Sequence, residues 1–477
     1  MRKKKNPVLE QLAVNAYAAG GKSIAKVEGK VVFVEGAVPG DVVDVRLSKN
    51  KKDWAEGKAI RFHAYSPERV TPFCEHFGIC GGCKWQMLPY EKQLQYKQEE
   101  VEQQMKRIGK LNLPALMPIA GSAETTHYRN KLEFTFSSKK YFTEAEIATM
   151  EMPEEGPRGL PSIPALGFHV PGSFDKVIDI RQCHLQAEPS NAIRNQLREH
   201  AFSQGYSFYD IRNHNGLLRN LMIRLCTTGD LMVNLVLGEE DKKAINGLME
   251  FLRTSFPQIS SLFYTVNRKF NDSLHDQSPV LYHGKAFAIE ELGGKRFKVG
   301  PKSFFQTNTK QAEVLYSITK EFALLTGNEV VYDLYCGTGS IGIFVSDKAK
   351  KVIGVELIEE AIEDAKENVA LNNIANAHFF AGDVAAVCHE DFFKEHGKPD
   401  VIITDPPRAG MHEKLVHQIL AMRAPVVVYV SCNPATQARD LQLLGEAYEV
   451  TAIRPVDMFP HTHHIENVVQ LKLTGNP

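Results

Sequence analysis

The residue best placed to do chemistry is Cys432, in Val426-Val-Val-Tyr-Val-Ser-Cys-Asn-Pro434. Val426 to Val430 is a β-branched run with one aromatic, the pattern of a strand buried on both faces. Pro434 cannot continue a ladder, so the chain leaves the sheet there. Cys432 is thereby set at the carboxyl end of a parallel strand, on the rim where open α/β sheets bind ligands. Most free cysteines are small buried hydrophobes; one on such a rim is a candidate nucleophile. Three other cysteines have ligand spacing, and a fourth lies far from them. Cys74-Glu-His-Phe-Gly-Ile-Cys80-Gly-Gly-Cys83 spaces three thiols x5 and x2 apart with two glycines for the turn, and Cys183 follows an apolar strand pattern. This is a metal- or cluster-binding set; zinc, with His76 or a distant cysteine as fourth ligand, is the competing reading.

A third set is built on glycines. Glu329-Val-Val-Tyr-Asp-Leu-Tyr-Cys-Gly-Thr-Gly-Ser-Ile-Gly342 reads as a strand, a turn and the opening of a helix. Asp333 ends the strand, and Gly337 and Gly339 let a ligand approach the backbone. The same residues fit Gly-x-Gly-x-x-Gly, so a dinucleotide is a rival ligand. Lys351-Val-Ile-Gly-Val-Glu356 is a second strand, ending in an acid suited to a ribose diol. Asp400-Val-Ile-Ile-Thr-Asp-Pro-Pro-Arg408 is another, ending at Asp405. His461, His463 and His464 invite a metal reading, but no further ligands complete a site.

The elements that must position these groups fall into three units, as 477 residues suggest. Residues 1–62 carry short strands and turns, the rhythm of a small barrel, with 13 Lys+Arg against 7 Asp+Glu. That net of +6 leaves −7 for the remainder, so a basic module that could take a polyanion is joined to a mildly acidic body. Lys49, Lys51, Lys52 and Lys58 are available for phosphates. Residues 63–300 alternate strand and helix patterns as a central α/β domain. Within it, residues 90–110 form a packing helix with Leu94, Val101, Met105 and Ile108 as its stripe, and 144–165 read as an aperiodic surface insertion. Arg129, Lys131, Arg219 and Arg224 are either nucleic-acid contacts or solvated strand faces. Residues 301–477 are the catalytic α/β unit. No apolar run is long enough to span a bilayer, the start lacks a signal peptide's apolar core, and eight cysteines are too few for a disulfide scaffold. A cytoplasmic monomer is expected.

Over nearly its whole length the chain resembles the bacterial 23S rRNA (uracil-5-)-methyltransferases, which join an OB-like TRAM barrel, an iron–sulfur domain and a class I (Rossmann-like) catalytic domain. The four-cysteine set, Phe304-Phe-Gln306, Asp405-Pro-Pro-Arg408, Ser431-Cys-Asn-Pro434 and His464-Ile-Glu-Asn-Val468 carry the resemblance. Asp333-Leu-Tyr-Cys-Gly-Thr-Gly339 is similar to the S-adenosylmethionine (SAM) motif of class I enzymes, and Asp-Pro-Pro is foreign to dehydrogenases. The resemblance implies a [4Fe-4S] cluster on Cys74, Cys80, Cys83 and Cys183. It implies SAM held by Gln306, Asp333, Tyr335, Gly337, Glu356, Asp383 and Asp405, Cys432 as nucleophile and Glu466 as base. Asp405 contacts either the uracil or the cofactor amine. It further implies 23S rRNA as substrate, with tRNA as the alternative.

The chemistry asks for the same groups. C5 of uracil is a weak nucleophile until a thiolate adds to C6, and its proton must later be removed. Reaching that carbon in structured RNA requires the base to be extruded, with Phe304 available to stack on it. A 5-methylcytosine enzyme would carry cysteine where Arg408 stands. An amino-group methyltransferase would carry an aromatic there and no cysteine nucleophile. A non-enzymatic RNA-binding protein would be expected to have lost Cys432 or Glu466.

Overall fold

The computed structural model describes residues 7–109, 113–151 and 160–475. Strands β1 (Val8–Tyr17), β2 (Ser23–Val27), β3 (Lys30–Glu35), β4 (Val42–Asn50) and β5 (Trp54–Ala64) close a barrel in the order β1-β2-β3-β5-β4. Alternate residues such as Leu12, Val14, Val32, Val34, Val43 and Val45 fill it. Closure between β4 and β5 needs Gly57, where a Cβ would lie 2.5 Å from the Arg46 carbonyl oxygen.

Helix α1 (Tyr90–Gln104) precedes the central sheet but does not pack on it. Its Val101, with Met105, joins the catalytic core beside Ala438 and Leu441. Ile108, expected on the same stripe, is exposed, because the helix widens to π pitch over Met105–Gly109 and rotates it outward. The central sheet comes from β6 (Lys131–Ser137), β7 (Ala165–Val170), β8 (Ser173–Asp179), β9 (Leu218–Leu225), β10 (Leu231–Leu237), β11 (Ser261–Val266) and β12 (Val280–Gly284), in the order β12-β11-β10-β9-β6-β7-β8. A short helix α2 (Glu144–Ala148) lies between β6 and β7. Helices α3 (Ser190–Ser203) and α4 (Lys242–Ser255) bury Ile193, Leu197, Leu248 and Leu252 against the sheet. Helix α2 corrects the reading of 144–165 as aperiodic: a capping box of Thr143 and Glu146 starts a helix that composition concealed. Residues 152–159 of that stretch lie outside the described residues.

Arg219 and Arg224 are neither solvated nor on a contact face. Both are fully buried; Arg219 donates to the carbonyls of Asn267, Lys269 and Asn271, and Arg224 to that of Ser303. Strand alternation places them inward, and long-range carbonyls satisfy part of what burial takes from water.

A hairpin, β13 (Ala288–Leu292) with β14 (Lys295–Val299), lends Leu292, Phe297 and Val299 to the catalytic core. The catalytic unit then runs α5 (Thr309–Phe322), β15 (Val330–Leu334), α6 (Ser340–Val345), β16 (Lys351–Glu356), α7 (Glu359–Leu371), β17 (Ala377–Ala381), α8 (Val384–Val387), α9 (Glu390–His396), β18 (Val401–Thr404), α10 (Glu413–Met422), β19 (Val426–Ser431), α11 (Pro434–Leu444), β20 (Tyr448–Val456) and β21 (Glu466–Leu473). The sheet order is β17-β16-β15-β18-β19-β21-β20. The first five strands are parallel and gather their carboxyl ends on one rim; β21 is antiparallel to both neighbours, so its amino end returns to that rim. Strand order reverses between β15 and β18, which opens the crevice where such sheets bind ligands. No helix among the described residues is long and apolar enough to cross a membrane.

Candidate active site

Cys432 follows β19 directly. Asn433 caps α11 by accepting from the Ala435 N–H at 3.1 Å, and Pro434 occupies the helix's first position. Asn433 Nδ2 and Thr436 Oγ1 donate to the Arg408 carbonyl at 3.0 and 3.3 Å, tying this turn to the Asp405–Arg408 loop. The register of β19 with β21 pairs Ser431 with Asn467, so the next residues along, Cys432 and Glu466, meet at the rim. Burial pushes the Cys432 thiol up to about 11, with Glu466 and Asp405 adding to it; the Arg408 guanidinium opposes them. Glu466 is 8% exposed, and burial and then Asp405 raise its carboxyl well above the ordinary range, against Arg408. Burial alone lifts Asp405 to about 7. Two such carboxylates cannot both ionise cheaply, so near neutral pH the pair holds a proton.

The cofactor side of the crevice starts at Asp333. Its Oδ2 accepts from the Gly342 N–H at 2.8 Å, while Oδ1 is buried with no hydrogen bond. Burial lifts this carboxyl to about 7, with Asp405 and Glu356 adding. Gly339 caps α6 at φ 75°, where a Cβ would strike the Phe379 ring at 2.7 Å. Glu356 reaches across the turn, its carboxylate accepting from the Gly337 N–H at 3.2 Å and the Ile358 N–H at 3.1 Å. Open space lies beside Gly337, and Leu357 is 69% exposed, an apolar face that a flat ring would cover. Tyr335, at φ 60°, is half-buried and feels the charge of Asp383 at the end of β17. Gln306 is half-buried, its carbonyl accepting from Asn130 Nδ2 at 2.9 Å. A buried acid with one oxygen left without a hydrogen bond, a glycine turn and an uncovered apolar face in one crevice fit a cationic adenosyl cofactor.

Residues 13–60 match the TRAM domain, and residues 291–474 match the family described as tRNA (Uracil-5-)-methyltransferase. A Bacteroides thetaiotaomicron protein named an uncharacterized RNA methyltransferase is 53% identical, over 96% of this chain and 100% of its own length. The chain belongs to the RNA (uracil-5-)-methyltransferase family. A Chlorobaculum tepidum RNA methyltransferase, also named uncharacterized, is 38% identical over 98% of this chain and 97% of its own. Among solved structures, the Pyrococcus abyssi tRNA (uracil-54, C5)-methyltransferase, in complex with S-adenosyl-L-homocysteine, matches with a TM-score of 0.74 and 28% identity. It covers 97% of this chain and 100% of that one. The protein is therefore a SAM-dependent RNA methyltransferase with an α/β catalytic fold.

In this methyltransferase the loop before Glu466 is clamped from far away in sequence. Lys97 of α1 makes a fully buried ion pair with Asp457 at 2.6 Å and donates to the Phe459 carbonyl at 3.2 Å. Tyr90 donates to Asp457 at 2.8 Å. The His461 N–H donates to Gln93, and its carbonyl accepts from the N–H groups of Lys84 and Trp85, just past Cys83. Sequence reading took α1 for an ordinary packing helix; charged and amide residues at its buried positions 93 and 97 were the signal. Tyr316 was also missed. Its hydroxyl lies 2.8 Å from Ser340 Oγ, and Asp405, Asp333 and Glu466 all act on it, yet α5 carries no motif that marks it. The histidines are drawn toward neutrality, His461 and His464 down to about 4 by burial.

Cys74, Cys80, Cys83 and Cys183 are half-buried. Burial raises all four thiols, Cys80 to about 11 and Cys83 to about 12, and the charges of Cys183 and Cys74 add to both. The loop is shaped by Cys80 N–H donating to the His76 carbonyl at 2.9 Å, and the Cys183 N–H donates to Asn191 at 2.8 Å. His76 Nε2 accepts the Arg181 N–H at 3.3 Å, which occupies the lone pair a metal would need on that nitrogen. Among the described residues no three His, Cys, Asp or Glu side chains are gathered closely enough to hold a single metal ion. Thiols desolvated in this way would ionise only with a cation bound among them.

Proposed function

We propose that this methyltransferase converts a uridine of 23S rRNA to 5-methyluridine through a covalent adduct on Cys432. The observation that carries the reading is the β19–β21 register, which brings Glu466 beside Cys432. The Cys432 thiolate adds to C6 of the uracil; the C5–C6 π electrons move toward O4 and make C5 nucleophilic. C5 would take the methyl that bound SAM carries on its cationic sulfur, the S–CH3 bond breaking so that the sulfur leaves as the neutral thioether of S-adenosylhomocysteine. Glu466 then takes the C5 proton, the electrons re-form the ring double bond, and the C6–S bond breaks to restore the thiolate. The charge of Arg408 favours the sulfur's anionic form. Asp333, Tyr335, Gly337, Glu356, Asp383 and Gln306 hold SAM, with Asp405 between cofactor and base. The reaction takes place in the cytoplasm, on a monomer.

The choice of 23S rRNA rests on the TRAM barrel together with the four-cysteine set. Mass-spectrometric mapping of 5-methyluridine in rRNA and tRNA from a deletion strain tests it. One 23S site should lose the modification; loss from tRNA alone would move the substrate to tRNA, and no loss would overturn the reading.

The four cysteines hold a [4Fe-4S] cluster in this proposal. Protein purified without oxygen should be brown and carry about four irons per chain. Cys183→Ser should lose iron and colour but keep SAM binding, because Cys183 sits beside α3 and not on the cofactor rim. Stoichiometric zinc in colourless protein would contradict the assignment.

A further inference from the structure

Two of the most exposed large hydrophobic side chains among the described residues are Phe270, at 74%, and Phe304, at 72%. They lie on separate loops that are joined: the Lys302 ammonium donates to the His275 carbonyl at 2.9 Å, two residues before Phe304 and five after Phe270. The Phe270 loop is built to hold its shape. Buried Arg219 donates to three of its carbonyls, at 2.6, 2.7 and 3.1 Å, and to Asp272 at 2.7 Å. Asn267 and Asn271 close the loop internally, through the Lys269 and Ser273 N–H groups. The Arg219 guanidinium lies 4.1 Å over the Tyr209 ring, and the Tyr209 hydroxyl is 3.3 Å from His214 Nδ1. Phe270 rests on His214, ring centroids 4.3 Å apart. A buried cation and a column of rings thus hold one phenyl ring out into water. A single exposed ring is ordinary; one held out by a buried cation and a scaffold built for it suits a partner that covers its face.

We propose that Phe270 is a base-stacking platform for the RNA: an unpaired nucleobase near the modified uridine stacks on its open face while that uridine enters the cleft beside Phe304. The proposal rests on the RNA-substrate reading above. The neighbourhood suits a nucleotide, because Arg268 and Lys269 immediately precede Phe270 in the chain. Their partners, Glu240 at 3.1 Å and Asp276, form surface pairs that cost little to exchange for a phosphate. A stacking platform gives sequence-tolerant affinity, because every base has a π-face.

The test compares Phe270→Ala, Phe270→Leu and Phe270→Trp in the full chain, using the transcript that carries the uridine mapped in the deletion strain. Loss of one stacked base should weaken RNA binding about 5- to 100-fold in Phe270→Ala, with the effect in KM for RNA and not in KM for SAM. Phe270→Leu should be nearly as weak, because it keeps apolar area without a π-face. Phe270→Trp should bind at least as tightly as wild type, and its added indole fluorescence should be quenched by the RNA. The residue is exposed, so all three variants should melt with the wild type. If the wild type methylates the transcript and Phe270→Ala binds it equally well, the platform is refuted. If the wild type forms no 5-methyluridine in any RNA, the failure lies with the functional reading instead. A Leu variant that binds as well as wild type would refute stacking.

Discussion

Cys432→Ala should leave no measurable methylation, whereas Glu466→Gln should leave an enzyme stalled in mid-reaction. The two residues meet at one rim, but the proposed chemistry uses them at different steps. Without the thiol, C5 never becomes nucleophilic, so neither product nor adduct forms; SAM binding should survive, because none of the proposed cofactor residues is Cys432 and most follow β15, β16 and β17. Without the base, methyl transfer can still occur and the C5 proton stays. A covalent protein–RNA species should then accumulate on natural RNA and resist denaturing gel electrophoresis. Loss of a general base typically slows turnover about 10²–10⁴-fold. RNA bearing 5-fluorouridine at the target should trap wild type and Glu466→Gln alike, and never Cys432→Ala. The sign of the pH dependence follows from the raised values. Glu466 is protonated below its raised pKa and cannot accept the C5 proton, and the Cys432 thiol ionises only toward about 11 in the absence of cofactor. Activity should therefore climb with pH from the acid side, and Glu466→Gln should flatten the part of that climb due to the carboxyl. If Glu466→Gln yields neither adduct nor product, Glu466 acts before attack, and the base must be sought among the histidines upstream.

Lys97→Met should be the most damaging change outside the rim. Lys97 and Asp457 are fully buried and 2.6 Å apart. Removing one partner strands the other charge away from water, which costs about 3–5 kcal/mol in such pairs. The damage should be directed, because Asp457 begins the loop that delivers Glu466. Calorimetry should show a lowered melting transition, and methyl transfer should fall while RNA affinity holds. Adding Asp457→Asn to Lys97→Met should recover part of the stability by removing the stranded charge. A Lys97→Met protein that melts and turns over as the wild type does would mean that the clamp is dispensable.

Much of this molecule is written locally. The β-branched run before Cys432 makes a buried strand wherever it is placed, and Pro434 ends it for reasons internal to the proline ring. The strands and turns of residues 8–62 read as a barrel, and the glycines after Asp333 read as a ligand turn, because backbone sterics act over a few residues. The cysteine spacing is local too, although the fourth member of the proposed ligand set, Cys183, lies about a hundred residues away. Other features appear only once the chain is folded. Glu466 reaches Cys432 because β21 inserts antiparallel between β19 and β20, and strand order is a property of the whole sheet. Lys97 and Asp457 are separated by 360 positions, and no periodicity couples them. Arg219 and Arg224 read equally well as solvated or binding residues, since a strand pattern does not say which side another layer will cover. Tyr316 carries no local mark, and only packing brings it where the charges of Asp405, Asp333 and Glu466 reach it. Steric preference is settled between neighbours in sequence; burial and charge are settled by whatever the fold brings near, and that is decided by the tertiary structure.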